Sequence, residues 1–199
     1  MIESNSKTDL ASLLTAIDQR NRQDPRSEEF DGQNYPKELL YGQRMSATLA
    51  RFKPDASEEL QIAARAQHIQ RWQIPRADYP PTRPGYLQWR RDLGKFHAQR
   101  SAELMTEHGY SQASINTVSA LLQKQNIKQN PEAQALEDVI CLVFVQYYLA
   151  DFGANKKPDK LANIIRRTWE KMSAKGQTAV LALDLNPSLQ IILNESLAV

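Results

Sequence analysis

The sequence predicts an all-α fold, and three observations carry that prediction. Glycine is scarce, 7 among 199 residues, and Gly109, Gly153 and Gly176 stand where helical stretches would end or part. Apolar residues recur at three- and four-residue spacing along much of the chain. Alternating apolar and polar runs of strand length are absent, and Asp31-Gly32 sits in a polar stretch rather than between such runs.

The elements follow in order. Leu10, Leu13, Leu14 and Ile17 share one helical face, with Thr8 or Asp9 available to start it. Residues 20–35 are polar and read as a surface loop. Pro36 suits the first turn of a second helix carrying Leu39, Leu40, Met45 and Leu49. Pro54-Asp55 ends it, and a third is expected from Ser57 to Trp72. The proline-rich YPPTRPG, residues 79–85, excludes helix, and a long helix is expected from Tyr86 to His108. Gly109 stops that helix, and Ser111 caps the next, which holds Ile115, Val118, Leu121 and Leu122. Asn130-Pro131 opens a helix that becomes apolar on every side from Val139 to Val145, the pattern of a central buried helix. After a break at Lys156–Pro158, an amphipathic helix carries Leu161, Ile164, Ile165 and Trp169, and two short helices finish the chain, the last starting near Pro187. The expectation is one domain of eight or nine helices over 1–199: a peripheral helix and loop in 1–35, a core in 36–153 and C-terminal helices in 157–199.

Composition narrows the function. Cys141 is the one cysteine, which excludes an internal disulfide and a thiolate-rich zinc site and suits a reducing compartment, the cytoplasm. The longest apolar run is seven residues, Val139 to Val145, too short to span a bilayer, so no membrane partner is expected. No secretory leader or glycine-rich phosphate loop is visible. Net charge is only +2, which argues against a generic polyanion binder.

That small total hides an uneven distribution. Residues 61–100 carry eight Lys and Arg against two Asp, a local +6 set against −4 elsewhere. The same segment holds His68, His97, Trp72 and Trp89. Guanidinium groups beside aromatic rings suit a phosphate or carboxylate ligand, because arginine binds planar anions through two donors. Arg71, Arg76, Arg83 and Arg90, with Trp72 and Trp89, are the candidate contacts; a solvated basic face balancing the acidic remainder explains the excess equally well. His68 falls in the inward stripe Leu60, Ala64, His68, Trp72, and His97 lies beside the apolar face of its own helix. His108 sits at a helix end and reads as structural.

Glu137-Asp138 is the sharpest anomaly. The pair lies past the first helical turn, where the helix dipole no longer explains it, and directly before the apolar run. At least one carboxylate must approach the core and find a partner there. A buried arginine, such as Arg44 or Arg65, would satisfy it structurally. A divalent transition metal held by His68, His97 and one of Glu137 or Asp138 would satisfy it chemically.

The strings YGQRM, AARAQHIQRW, FHAQRSAELMTEHGY and LEDVICLVFVQ resemble, in order, the helices of HD-domain metal-dependent phosphohydrolases. The resemblance implies metal ligation by His68 and Asp138, with His97 as an additional helix-borne ligand. Tyr41 stands at the place of the family's first histidine, and Ile69 replaces the aspartate of the His-Asp pair, so the motif is broken. Over nearly the whole chain, PKELLYGQRMS, AARAQHIQRWQIPR, YPPTRPGYLQWR, KFHAQ and PEAQALEDVICLVF look like the domain-of-unknown-function 4202 family, which implies a compact helical protein and no particular substrate.

Three functions fit these observations. An HD-like hydrolase of a phosphoester or nucleotide would use the metal to activate water, with the arginines on the phosphate. A non-catalytic module would bind a small anion, or less well an RNA element, through residues 65–100, and would need no metal. A helical scaffold or homodimer would turn the same aromatic surface to a protein partner.

Overall fold

The computed structural model describes residues 9–127 and 129–197 and is overwhelmingly helical. Helix α1 (Leu10–Asn21) starts at Asp9, whose Oδ1 accepts from the Ala11 N–H at 3.1 Å; Thr8, the alternative start, lies outside the described residues. The expected loop after it contains a two-stranded antiparallel hairpin, β1 (Ser27–Phe30) and β2 (Gln33–Pro36). Asp31 and Gly32 have φ of 49° and 74°. Two successive left-handed residues form the turn whose twist matches paired strands, and Asp-Gly favours it. Pro36 precedes helix α2 (Lys37–Phe52) as its N-cap residue rather than entering the first turn.

Helix α3 (Glu58–Arg65) is half the length that periodicity suggests, because bonds to α1 reward leaving the helix. Both Asp18 carboxylate oxygens accept from the Arg65 guanidinium at 2.7 Å. Asn21 then accepts from the Gln70 N–H at 2.9 Å, holding Gln70 in the left-handed region at φ 51°. His68 therefore sits in a turn between α3 and a short 3₁₀ segment (Arg71–Gln73), not on a helical stripe. Helix α4 (Arg83–Glu107) begins inside the proline-rich stretch, since Thr82 caps it and Pro84 tolerates a first-turn position. Helix α5 (Gln112–Leu122) packs along α4, with Ser111 as the expected cap.

Helix α6 (Pro131–Val143), capped by Asn130, is the central helix. Its Leu136, Val139 and Val143 join one apolar cluster with Leu13, Ile17, Met45, Leu60 and Leu121. Its Cys141 and Leu142 join a second cluster with Leu161, Ile165, Val180 and Leu193. A π-helical stretch (Phe144–Tyr148) continues α6 into α7 (Leu149–Gly153). Helices α8 (Pro158–Trp169), α9 (Ala174–Leu181) and α10 (Pro187–Leu197) cover the second cluster. Gly176 lies within α9 rather than parting two helices. Among the described residues there are ten α-helices, and none is long and apolar enough to cross a membrane.

The remaining, partly buried face of α6 and its continuation accounts for the rest of the all-round apolarity. Ile140 and Phe144, four residues apart, are only half-buried and with Tyr148 wall a cavity. Ile140 and Tyr148 also pack against the first cluster and Phe144 against the second, so this cavity wall is continuous with the core.

Candidate functional site

His68 lies in the turn after α3 and lines two adjoining cavities, one of about 390 Å³ beside α4 and the end of α5 and one of about 370 Å³ between α2, α4 and α6. Gln67, His68, Arg71 and Arg90 line both. The first cavity extends to Arg91, Lys95, His97 and Lys124, and the second to Arg26, Glu38, Tyr41, Phe144 and Tyr148.

The partners of His68 fix its protonation. Its Nδ1 lies 3.0 Å from Glu38 Oε2, and its Nε2 lies 2.8 Å from the Arg71 guanidinium. An ionised carboxylate only accepts and a guanidinium only donates. Both bonds form when Nδ1 carries the proton and Nε2 is a bare lone pair. Burial, reinforced by the charges of Arg71 and Arg90, holds the ring well below its ordinary pKa, so the neutral form prevails. Tyr41 stacks on the ring, centroids 3.8 Å apart and planes within 12°. Burial raises the pKa of Tyr41 so that it stays a phenol.

Glu38 is buried and receives a second bond, from Arg26 at 2.8 Å. Arg26 is itself held by Asp24 through Nε and Nη2, each at 2.9 Å. Burial raises the Glu38 pKa, while the charges of Arg71 and Arg26 oppose the shift. His97, buried on α4, donates from Nδ1 to the Ile69 carbonyl at 2.8 Å, and its ring centroid lies 6.1 Å from that of His68. Ile69 is fully buried and meets His97 through this carbonyl.

Arg71 is braced without a carboxylate: its guanidinium lies 4.8 Å over the Trp89 ring and bonds the neutral His68. Trp89 is fixed by its indole N–H, which donates to the Ile74 carbonyl at 2.9 Å. Arg76 instead donates to the Tyr79 and Pro80 carbonyls, each at 2.8 Å, and so pins the proline-rich loop. Arg83 is exposed in the first turn of α4, and neither it nor Trp72 lines the two cavities. Of the arginine-rich group, Arg71 and Arg90 line both cavities, and Trp89 supports Arg71.

Glu137 and Asp138 do not join the histidines. Glu137 pairs with Lys124, which the left-handed backbone at φ 57° turns toward it. Asp138 accepts from the Ser173 N–H at 2.8 Å, the Ser173 hydroxyl at 2.6 Å and the Gln134 amide at 3.1 Å. Its carboxylate ties α6 to the start of α9. The two expected arginine partners are engaged elsewhere, Arg44 with Glu28 and Arg65 with Asp18. Among the described residues no group of three or more His, Cys, Asp or Glu is placed to hold a metal ion. The expected set of His68, His97 and one of Glu137 or Asp138 is therefore not brought together.

Sequence reasoning missed Glu38, Gln67, Arg26 and Tyr148. Glu38 reads as an ordinary first-turn acid of α2, and no local spacing announces a histidine thirty residues on.

This is an all-α protein whose helices wall a cationic cleft around a neutral histidine. The chain belongs to the family described as domain of unknown function (DUF4202), whose model matches residues 11–193. Neither a search of curated proteins nor one of solved structures found a match.

Proposed function

We propose that the cleft binds a small phosphate-bearing anion between Arg71 and Arg90. One observation carries the reading. Both arginines line both cavities, yet neither forms an ion pair with a carboxylate among the described residues, whereas Arg26, Arg44, Arg65 and Arg100 all do. Among the described residues neither half-buried guanidinium has a carboxylate at ion-pair distance, and a phosphate meets the guanidinium fork with two parallel bonds. Isothermal titration with inorganic phosphate tests this. The wild type should show one saturable site, and Arg71→Met and Arg90→Met should each weaken it about tenfold. Unchanged affinity in both variants would exclude the reading.

The Glu38–His68 pair favours turnover of the bound ligand as a second reading, a phosphoester hydrolase. A ligand phosphate would draw Arg71 off His68, freeing Nε2 to take a proton from water. The water oxygen would then bond phosphorus while the P–O bond to the leaving group breaks, and Glu38 would stabilise the imidazolium. That imidazolium would return its proton to the leaving oxygen. Release of p-nitrophenol from p-nitrophenyl phosphate, abolished by His68→Gln, is the expected result, measured with and without chelator. No release under any of these conditions would leave binding alone.

A further inference from the structure

Beside the two arginines, the cleft holds two acceptors that no donor meets. His97 Nε2 and Gln67 Oε1 are both closed off from solvent and have no hydrogen-bond partner among the described residues. The residues are 3 % and 5 % exposed, and both line the cavity shared with Arg71 and Arg90. His97 Nδ1–H is committed to the Ile69 carbonyl, so Nε2 is the bare lone pair. Burial pushes the ring pKa down to about 3, so it remains an acceptor at neutral pH. Buried polar atoms are nearly always paired, and each exception carries a desolvation penalty. Six such atoms occur among the described residues, and the two acceptors that fall together at one cavity lined by arginine and lysine describe a ligand that brings its own donors.

A phosphate dianion esterified to a plain alkyl group offers only acceptors. It satisfies Arg71 and Arg90 and leaves His97 and Gln67 as they are. We infer that the ligand is a hydroxylated phosphomonoester, of polyol or sugar type, whose hydroxyls donate to His97 Nε2 and Gln67 Oε1 while its phosphate lies against Arg71 and Arg90. This rests on the anion-binding reading above and specifies its ligand class.

Glycerol 3-phosphate and n-propyl phosphate form the deciding pair, since they match in charge and chain length and differ by two hydroxyls. Titrated calorimetrically into the full-length protein, glycerol 3-phosphate should bind at least about tenfold more tightly. Gln67→Met and His97→Phe should each close part of that gap, leaving propyl phosphate affinity within about twofold of wild type. Equal binding of the two esters to wild type would overturn the inference and leave the anion site standing. Binding of neither would overturn both. Should His97→Phe fail to fold, Gln67→Met and the wild-type comparison still decide, and a Gln67→Met protein retaining the full preference would count against the inference.

Discussion

At the scale of single residues, the cleft is organised around two histidines kept neutral by burial. Both fold with pKa values below the ordinary 6.5, His97 at about 3. Below pH 6.5 the unfolded chain takes up protons that the folded chain refuses, so stability is full above that value and falls as pH drops. The loss reaches about 1.4 kcal/mol per pH unit for each histidine. Glu38, whose pKa burial raises, acts in the opposite sense once the pH approaches the carboxylate range. Urea unfolding at pH 7.0, 6.0 and 5.5 should therefore show a falling midpoint, with a shallower fall in His97→Phe. Asn21 is the second lever. Fully buried, it bonds both the Gln70 N–H and the Glu38 carbonyl, so Asn21→Leu should cost about 2 kcal/mol in the same assay by stranding both groups. His68, His97, Arg71, Arg90 and Trp89 were legible in the sequence because a histidine among apolar residues and a run of arginines stand out locally. Glu38 and Gln67 were not, because their significance comes only from side chains brought in by other elements.

At the scale of elements, the departures from periodicity all have tertiary causes. Helix α3 stops early because Asp18 and Asn21 of α1 capture Arg65 and the backbone of Gln70. The hairpin escaped notice because its strands are polar. It is held by Arg44, which pairs with Glu28, lies 4.9 Å from the Phe30 ring centroid and donates to the Tyr148 hydroxyl at 2.9 Å. Arg44→Met should loosen residues 27–36, read as faster amide exchange there, with α4 and α5 unchanged. Glu137 and Asp138 are buried and partnered, and position in a helix does not say by which group. Asp138→Ala should cost about 3 kcal/mol, since it removes three bonds to a buried carboxylate. Gly176 reports the same joint. A Cβ there would sit 2.6 Å from Asp138 Oδ1, so the gain of about 1 kcal/mol normally expected for Gly→Ala in a helix is outweighed. Thermal melts should place Gly176→Ala below wild type.

At the scale of the whole molecule, the basic excess of residues 61–100 separates by role. Arg65 is bound to Asp18, Arg76 to loop carbonyls and Arg100 to Glu103, so each of these has a structural partner. Arg71 and Arg90 line both cavities, with Arg91 and Lys95 at the first and the half-buried wall of α6 and its π-helical continuation at the second. Composition showed the charge asymmetry, and only the packing of α2, α4 and α6 shows where it is unspent. The most direct test is to soak crystals with tungstate, an electron-dense phosphate analogue, and locate it by anomalous scattering. A peak between Arg71 and Arg90, lost in the double Met variant, is the expected result. Tungstate found only on exposed arginines such as Arg83, with the cleft empty, would contradict the assignment.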